Sequence, residues 1–343
     1  MAQTTVKDIG EQGLLARLQG FCPSDVIGDD GAVLDVAEGH KLVVTTDVLV
    51  DGVHFSEQTT RPEDVGWRAV AANLSDLAAM GATPLGITIG LSLPSDTPVE
   101  WVERLYEGSD RCLKNYQTPI LGGDICRSSV ITVSITALGQ VKPDRIISRF
   151  TAQPDDAIVV TGVHGASRAG LELLLHPELG ENLSQPERDR LISAHQRPRP
   201  RLDVLPHLWA IGDSLTEKGE QRRKEWIAGM DSSDGLADAL IQICRCSQVG
   251  AEIDQSALLI PRGLTEWLGS EQALNWVLYG GEDFELVLCL PVDSAQALIR
   301  RLGENAAIIG KIKAEKSVII RNIQQSSSFQ ELSLNQGFQH FAP

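Results

Sequence analysis

The chain has 343 residues, 42% of them hydrophobic and 22% charged, with 46 acidic against 30 basic side chains and a formal net charge of −16. Such a length is long for one core and predicts two domains. The acidic balance argues against nucleic acid as the main partner, because phosphate backbones are held by basic patches. It leaves room for a phosphorylated small molecule, since bound divalent cations invert the local charge. The six cysteines show no C-x-x-C pair; Cys244 and Cys246 form only a C-x-C, with no second half of a zinc site. They read as core or reduced thiols of a cytoplasmic protein. The opening MAQTTVKDIGEQGLL has no basic segment followed by an apolar stretch. No apolar run approaches the roughly 20 residues of a membrane span, so no membrane partner is expected.

In chain order, residues 41–50, KLVVTTDVLV, are β-branched and apolar and predict a buried strand. Thr60 to Glu63, TRPE, has the spacing of a capping box and opens a helix through AVAANLSDLAAM to Gly81. A second box, Thr97-Pro98-Val99-Glu100, opens a helix to Tyr116 or near it. A short strand, PILGGD, and a long one, VITVSITALGQV, close an α/β or α+β unit near residue 145. DAIVVTGVHGASRAGLELLL then starts a second unit with a strand, a glycine-containing turn and a helix. Residues 176–206 predict a surface connection with one short helix, and 216–225, TEKGEQRRKE, a solvated charged loop or face. IAGMDSSDGLADALIQI reads as another strand-to-helix turn, and YGGEDFELVLCLP as a turn entering a strand. The expected domains are therefore 1–145 and 146–343.

Acidic residues recur where these elements end. Asp30 sits in a Gly-Asp-Asp-Gly turn, which alone is most often only a turn. Asp47 lies in an apolar strand, with Thr45 on its own face and Thr46 on the other; carboxylate and hydroxyl oxygens there suit a hard cation. Asp76 shares a helical face with Ala69, Ala72 and Ala79 or Met80, so it is either a hydrogen-bonded core residue or a ligand. Asp124 ends PILGGD, where two glycines let the backbone approach a ligand closely. Asp231 and Asp234 in MDSSDGL sit where helix N-capping is the plain explanation, yet Asp-Ser-Ser-Asp exceeds what one cap requires. Glu282 and Asp283 follow another Gly-Gly. Each signal is weak by itself. Together they have the pattern of a multi-cation oxygen site assembled between two domains, and the lack of His and Cys clustering points to Mg²⁺.

Several Mg²⁺ ions and glycine-flanked turns suggest phosphoryl transfer from a nucleotide. No G-x-x-x-x-G-K-[ST], H-R-D or D-F-G is present, and GVHGASRAG is too loose for a dinucleotide fingerprint. The motifs VIGDDGAVL, TTDVLVDGVHF, AVAANLSDLAAMGATP, GGDICR, VVTGVHGASRAG, MDSSDGL, GGEDFEL and GFQHFAP occur in order across almost the whole chain. In this the sequence resembles the thiamine-monophosphate kinases, in the superfamily that includes aminoimidazole ribonucleotide synthetase and selenophosphate synthetase.

The resemblance implies an N-terminal α/β domain that binds ATP and Mg²⁺ and dimerises through its sheet, and a C-terminal α/β domain that completes the active site in a cleft. It implies ATP and thiamine monophosphate as substrates, with thiamine diphosphate and ADP as products. By the same resemblance Asp30, Thr45, Thr46, Asp47, Asp76, Asp124, Asp231 and Asp234 fall on magnesium ligands. Gly123, Asp124, Arg149 and Ser233 fall on nucleotide contacts, and His54, Glu282 and Phe338 on thiamine-phosphate contacts. Asp47, Asp124 and Arg149 are the residues expected to carry catalysis. The sequence departs from the family's Pro-Gly-Asp at Pro154-Asp155-Asp156, which predicts an altered turn, and from Gly-Asp-Ser at Gly165-Ala166-Ser167. Rival readings are another ATP-using member of the superfamily, a non-catalytic ATP- or metal-binding subunit, and a structural cation binder. Cys22 before Pro23 lacks the glycine setting of a selenophosphate synthetase.

Overall fold

The β-branched run Lys41–Val50 forms β1, but as the edge of a sheet and not as a buried strand. The computed structural model describes residues 3–23, 32–217, 227–322 and 329–337, the side chains of 215–217 excepted. The chain divides into two compact units: Met1–Leu77 with Ala82–Lys142, and Ala78–Gly81 with Pro143–Pro343.

In the first unit α1 (Val6–Leu18), α2 (Pro62–Ala79) and α3 (Val99–Lys114) accompany β1, β2 (Thr83–Leu93), β3 (Ile120–Arg127) and β4 (Thr132–Val141). The sheet order is β1-β4-β2-β3, antiparallel except for the β2–β3 pair. Strand alternation sorts its side chains. Ile87, Ile89, Leu91, Val133, Ile135 and Ala137 are buried on the inner face, where Leu77 of α2 also packs. The other face presents exposed Leu42, Val44 and Val48 of β1.

Neither expected capping box forms. Pro62 takes the first helical position of α2, which suits a residue without an N–H, and Glu63 pairs with Arg104 of α3 at 2.8 Å. The N-cap of α3 is Pro98, without a side-chain cap. Capping boxes occur instead at Thr5 with Asp8, and at Ser184 with Glu187.

The second unit has a seven-stranded mixed sheet built from β5 (Ala157–Val160), β6 (Ala228–Asp231), β7 (Gly250–Asp254), β8 (Leu286–Leu290), β9 (Ala307–Lys313), β10 (Val318–Arg321) and β11 (Phe329–Glu331). Helices α4 (Ala166–Leu175), α5 (Gln185–Gln196), α7 (Leu236–Ser247) and α8 (Leu264–Tyr279) supply one core, into which Ile158, Val160, Val287 and Cys289 project. Residues of α6 (Leu205–Glu217) and α9 (Val292–Leu302) supply the other, receiving Ala157, Val159, Leu286, Leu288 and Leu290. Burial on both faces explains why β5 and β8 read as continuous apolar runs.

Sheet order within this unit places three turns together. β5 and β6 both run antiparallel to β8 and lie on either side of it. Their C-terminal ends and the N-terminal end of β8 therefore share one edge, carrying GVHGAS, DSSDG and GGEDFE. The departure at Pro154-Asp155-Asp156 places a non-glycine residue in a left-handed turn position. Asp155 adopts φ 75°, a left-handed conformation that Asp tolerates better than most residues, and its carboxylate meets Lys311 at 2.6 Å.

Candidate active site

In the first unit Thr45, Asp47 and Asp76 lie on one side of the sheet. The Thr45 hydroxyl donates to Asp76 Oδ2, and the Asp47 N–H donates to Asn73 Oδ1 at 3.1 Å. Asn73 is itself fixed, its amide donating to the Ala69 carbonyl one turn earlier at 2.9 Å. Asp47 and Asp76 are both half-buried, so two carboxylates stand beside the apolar inner face.

Register separates two other predicted ligands from this group. Thr46 opposes Thr136, and their hydroxyls hydrogen-bond at 2.8 Å on the outer face. Val48 opposes Ser134, Ser134 opposes Gly90, and Gly90 lies beside Asp124, so exposed Asp124 also belongs to the outer face. Gly123 on the inner face has its own reason to be glycine: a Cβ there would stand 2.1 Å from the Ile89 carbonyl oxygen. The close approach it permits is between strands.

His54 follows β1, with its Nδ1 accepting from the Val50 N–H at 3.1 Å. A backbone N–H is always the donor, so a neutral His54 ring carries its proton on Nε2.

In the second unit Asp231 is buried at the end of β6, and the Ser233 hydroxyl donates to its Oδ1 at 3.3 Å. Asp234 is exposed. Asp238, one turn on and absent from the sequence-based set, has its carboxyl raised by burial and by Asp234, against the opposing pull of Gln242 and Arg149. Arg149 therefore stands within electrostatic reach of this acidic group. The i, i+4 spacing of Asp234 and Asp238 was the available signal.

The GGEDFE turn is held from several sides. Glu282 and Phe284 both have positive φ, 67° and 53°, a conformation that non-glycine residues adopt at a cost. The Glu282 N–H donates to the Ser233 carbonyl at 2.7 Å. Asp283 is buried and accepts from the N–H groups of Gly165 and Ser167 at 2.6 and 2.8 Å, acting as the N-terminal cap of α4. Since these are backbone donors, Ala166 does not disturb the anchoring. Burial pushes the Asp283 carboxyl up to about 7. Behind it, Glu285 accepts from the Thr161 hydroxyl at 2.7 Å and from Arg201, which also donates to the Thr161 carbonyl. Burial pushes the Glu285 carboxyl up against the pull of Arg201. His164 Nε2 lies 3.1 Å from Ser232 Oγ, and burial lowers its imidazolium to about 4, leaving a neutral ring. His164, Arg201 and Glu285 support the turns; His164 and Glu285 lie within the motifs GVHGAS and GGEDFEL, to which sequence reading assigns them no role, and Arg201 lies in no recognised motif.

Asp30 and Phe338 lie outside the described residues, as does the charged run from residue 218 to 225. Among the described residues no group of three or more His, Cys, Asp or Glu side chains is gathered closely enough to hold a metal ion. Among the same residues no helix is long and apolar enough to cross a membrane.

Comparisons with known proteins agree with the motifs. Residues 28–141 match the AIR synthase related protein N-terminal domain, and residues 153–322 match its C-terminal domain. The thiamine-monophosphate kinase of Synechococcus elongatus is 52% identical over 343 residues, covering 99% of each chain. The crystal structure of the thiamine-monophosphate kinase from Stenotrophomonas maltophilia K279a matches with a TM-score of 0.76 at 32% identity, over 91% of this chain and 95% of that one. The structure of AaThiL complexed with AMPPCP and TMP matches with a TM-score of 0.69 at 31% identity, over 96% of this chain and 99% of that one. The chain belongs to the thiamine-monophosphate kinase family, with the two-domain α/β organisation of the AIR synthase related proteins.

Proposed function

We propose that the chain transfers the γ-phosphoryl group of ATP to thiamine monophosphate, giving thiamine diphosphate and ADP. The single observation that carries this reading is full-length membership of the kinase family. An oxygen of the acceptor phosphate attacks the γ-phosphorus, and the bond between that phosphorus and the β,γ-bridging oxygen breaks, the electron pair leaving with ADP. Phosphate monoester oxygens are already ionised near neutral pH, so no general base is needed to create the nucleophile. The barrier lies in bringing two phosphorylated anions together.

The donor set is all oxygen, without His or Cys, and so fits a hard divalent cation. Asp30, Thr45, Thr46, Asp47, Asp76, Asp124, Asp231 and Asp234 would hold Mg²⁺. Bound magnesium neutralises phosphate charge and aligns the reacting groups. Gly123, Asp124, Arg149 and Ser233 contact the nucleotide in this reading, Arg149 adding positive charge at its phosphates. The Nε2–H of His54 donates to the acceptor phosphate. Glu282 faces the cationic thiazolium, and Phe338 stacks on the thiamine rings.

A homodimer belongs to the same proposal. It is supported by the exposed Leu42, Val44 and Val48 on the outer face of the first unit's sheet, an apolar surface that a second copy would cover. A cytoplasmic location is supported by six free cysteines, which suit a reducing compartment.

The test is ADP release by purified protein with Mg-ATP, with and without thiamine monophosphate, and chromatography for thiamine diphosphate. Stoichiometric thiamine diphosphate is the expected result. ADP without it, or no turnover by protein that binds ATP, overturns the assignment of the acceptor.

A further inference from the structure

A closed ring of contacts joins Glu282 and Asp283 to two helices of the second unit. Asp283 caps α4 through the N–H groups of Gly165 and Ser167 at 2.6 and 2.8 Å. The Ser167 side chain on that helix meets His195 of α5, with Oγ 3.1 Å from Nδ1. The same Nδ1 lies 3.6 Å from Glu282 Oε2, which returns the ring to the residue preceding Asp283. His195 and Ser167 are buried, at 1% and 0% exposure, whereas the Glu282 side chain is one-third exposed. A rigid interior therefore backs an acid that reaches the surface.

Chemistry fixes the proton on this ring. Nδ1 faces a carboxylate oxygen and a hydroxyl oxygen. An unprotonated Nδ1 would set its lone pair against the carboxylate, so Nδ1 carries hydrogen and Ser167 Oγ accepts. At 3.6 Å the approach to Glu282 is a directed electrostatic contact, longer than a hydrogen bond. Its source is a ring whose orientation Ser167 sets, just as the group hydrogen-bonded behind a metal-bound histidine sets that ring's tautomer. Glu282 needs such restraint, because its backbone sits at φ 67° and its side chain has three rotatable bonds.

We propose that His195 is a positioning residue: it fixes the Glu282 carboxylate in the orientation that receives the cationic part of the acceptor. This rests on the reading of Glu282 as a thiamine-phosphate contact. His195 itself touches no substrate. Its effect falls on acceptor affinity and spares the nucleotide.

Steady-state kinetics of the full-length enzyme test the idea, with KM measured separately for thiamine monophosphate and for ATP. His195→Leu removes the Nδ1–H and is expected to raise the acceptor KM about five- to twenty-fold with the ATP KM within about two-fold. His195→Asn, whose amide places an N–H near the Nδ1 position, restores most of the loss. Ser167→Ala leaves the ring in place but unoriented and gives an intermediate acceptor KM; it also serves if the Leu variant fails to fold. Glu282→Gln tests the underlying reading, and adding His195→Leu to it produces no further rise. Independent, multiplying effects of the two substitutions, or equal rises in both KM values, overturn the positioning role. A normal acceptor KM in Glu282→Gln instead overturns the Glu282 assignment on which the inference stands.

Discussion

Asp47 and Asp124 lie on opposite edges and opposite faces of one four-stranded sheet, β1 and β3 being separated by β4 and β2. Three strand spacings amount to roughly 14 Å along the sheet. Two oxygens on one Mg²⁺ ion are only about 4 Å apart at most. Within one copy, therefore, these acids do not share an ion. A homodimer that sets the β1 edge of one copy beside the β3 edge of the other changes the geometry, because the second copy brings its own Asp124. Asp47→Asn and Asp124→Asn should each lose about 100-fold or more in turnover, since each removes charge at nearly constant shape. Co-expressed with two different tags and purified as the heterodimer, they leave one of two sites intact and should recover about half the wild-type rate per dimer. A heterodimer as inactive as its parents would show that both acids act within one copy.

Thr45 and Thr46 give a sharper comparison, being adjacent and chemically identical. Only Thr45 directs its hydroxyl to Asp76; the Thr46 hydroxyl is taken up by Thr136. Thr45→Val should raise the Mg²⁺ concentration for half-maximal turnover about ten-fold, the usual effect of releasing a ligand from its supporting hydrogen bond. Thr46→Val should leave it within about two-fold. A larger effect at Thr46 would mean that its hydroxyl leaves Thr136 to reach the cation.

Local chemistry made some elements legible and topology hid the rest. β1, β4, α2 and α3 could be read because β-branched runs and helical periodicity extend over ten residues or more in each. β2 could not, since Pro84, Gly86 and Gly90 punctuate TPLGITIGLSL like a loop. The capping boxes misled because Ser/Thr-x-x-Glu spacing does not fix where the first turn begins: the proline inside each motif stands at the first helical position of α2 and at the N-cap of α3. Period two correctly separated Thr45 from Thr46, but the face of Asp124 depends on a register shift at Ile87/Thr88 that no local signal announces. Likewise Asp283 meets Gly165 and Ser167 across 118 and 116 residues of chain. The motifs GVHGAS and GGEDFE were visible; their coupling is a property of strand order.

Gly162 and Gly52 separate steric demand from backbone strain. Both have positive φ, 126° and 78°. A Cβ at Gly52 meets nothing within 4 Å, whereas one at Gly162 would stand 2.3 Å from Glu285 Oε1. Gly52→Ala should cost about 1 kcal/mol, the strain of a left-handed alanine. Gly162→Ala must also push Glu285 from Arg201 and Thr161, and should cost about 3 kcal/mol or more. Urea unfolding followed by tryptophan fluorescence measures both; equal losses would mean that the Glu285 pocket yields freely.

Asp283 makes stability depend on pH with a definite sign. Burial raises its carboxyl from the ordinary 3.8 to about 7 in the fold. A group that binds its proton more tightly when folded stabilises the fold fully below the unfolded value, and that contribution is lost as pH rises through about 7. Unfolding free energy should therefore fall between pH 5 and pH 8, with a slope from this one proton approaching about 1.4 kcal/mol per pH unit. Asp283→Asn cannot titrate, and its amide can accept only one of the two N–H groups, from Gly165 and Ser167, that the carboxylate now receives. The variant should be less stable at pH 5 by about 1–3 kcal/mol. Its stability should also change less steeply toward pH 8, so that the two curves converge. Parallel curves for the two proteins over that range would mean that Asp283 stays ionised in the fold despite its burial.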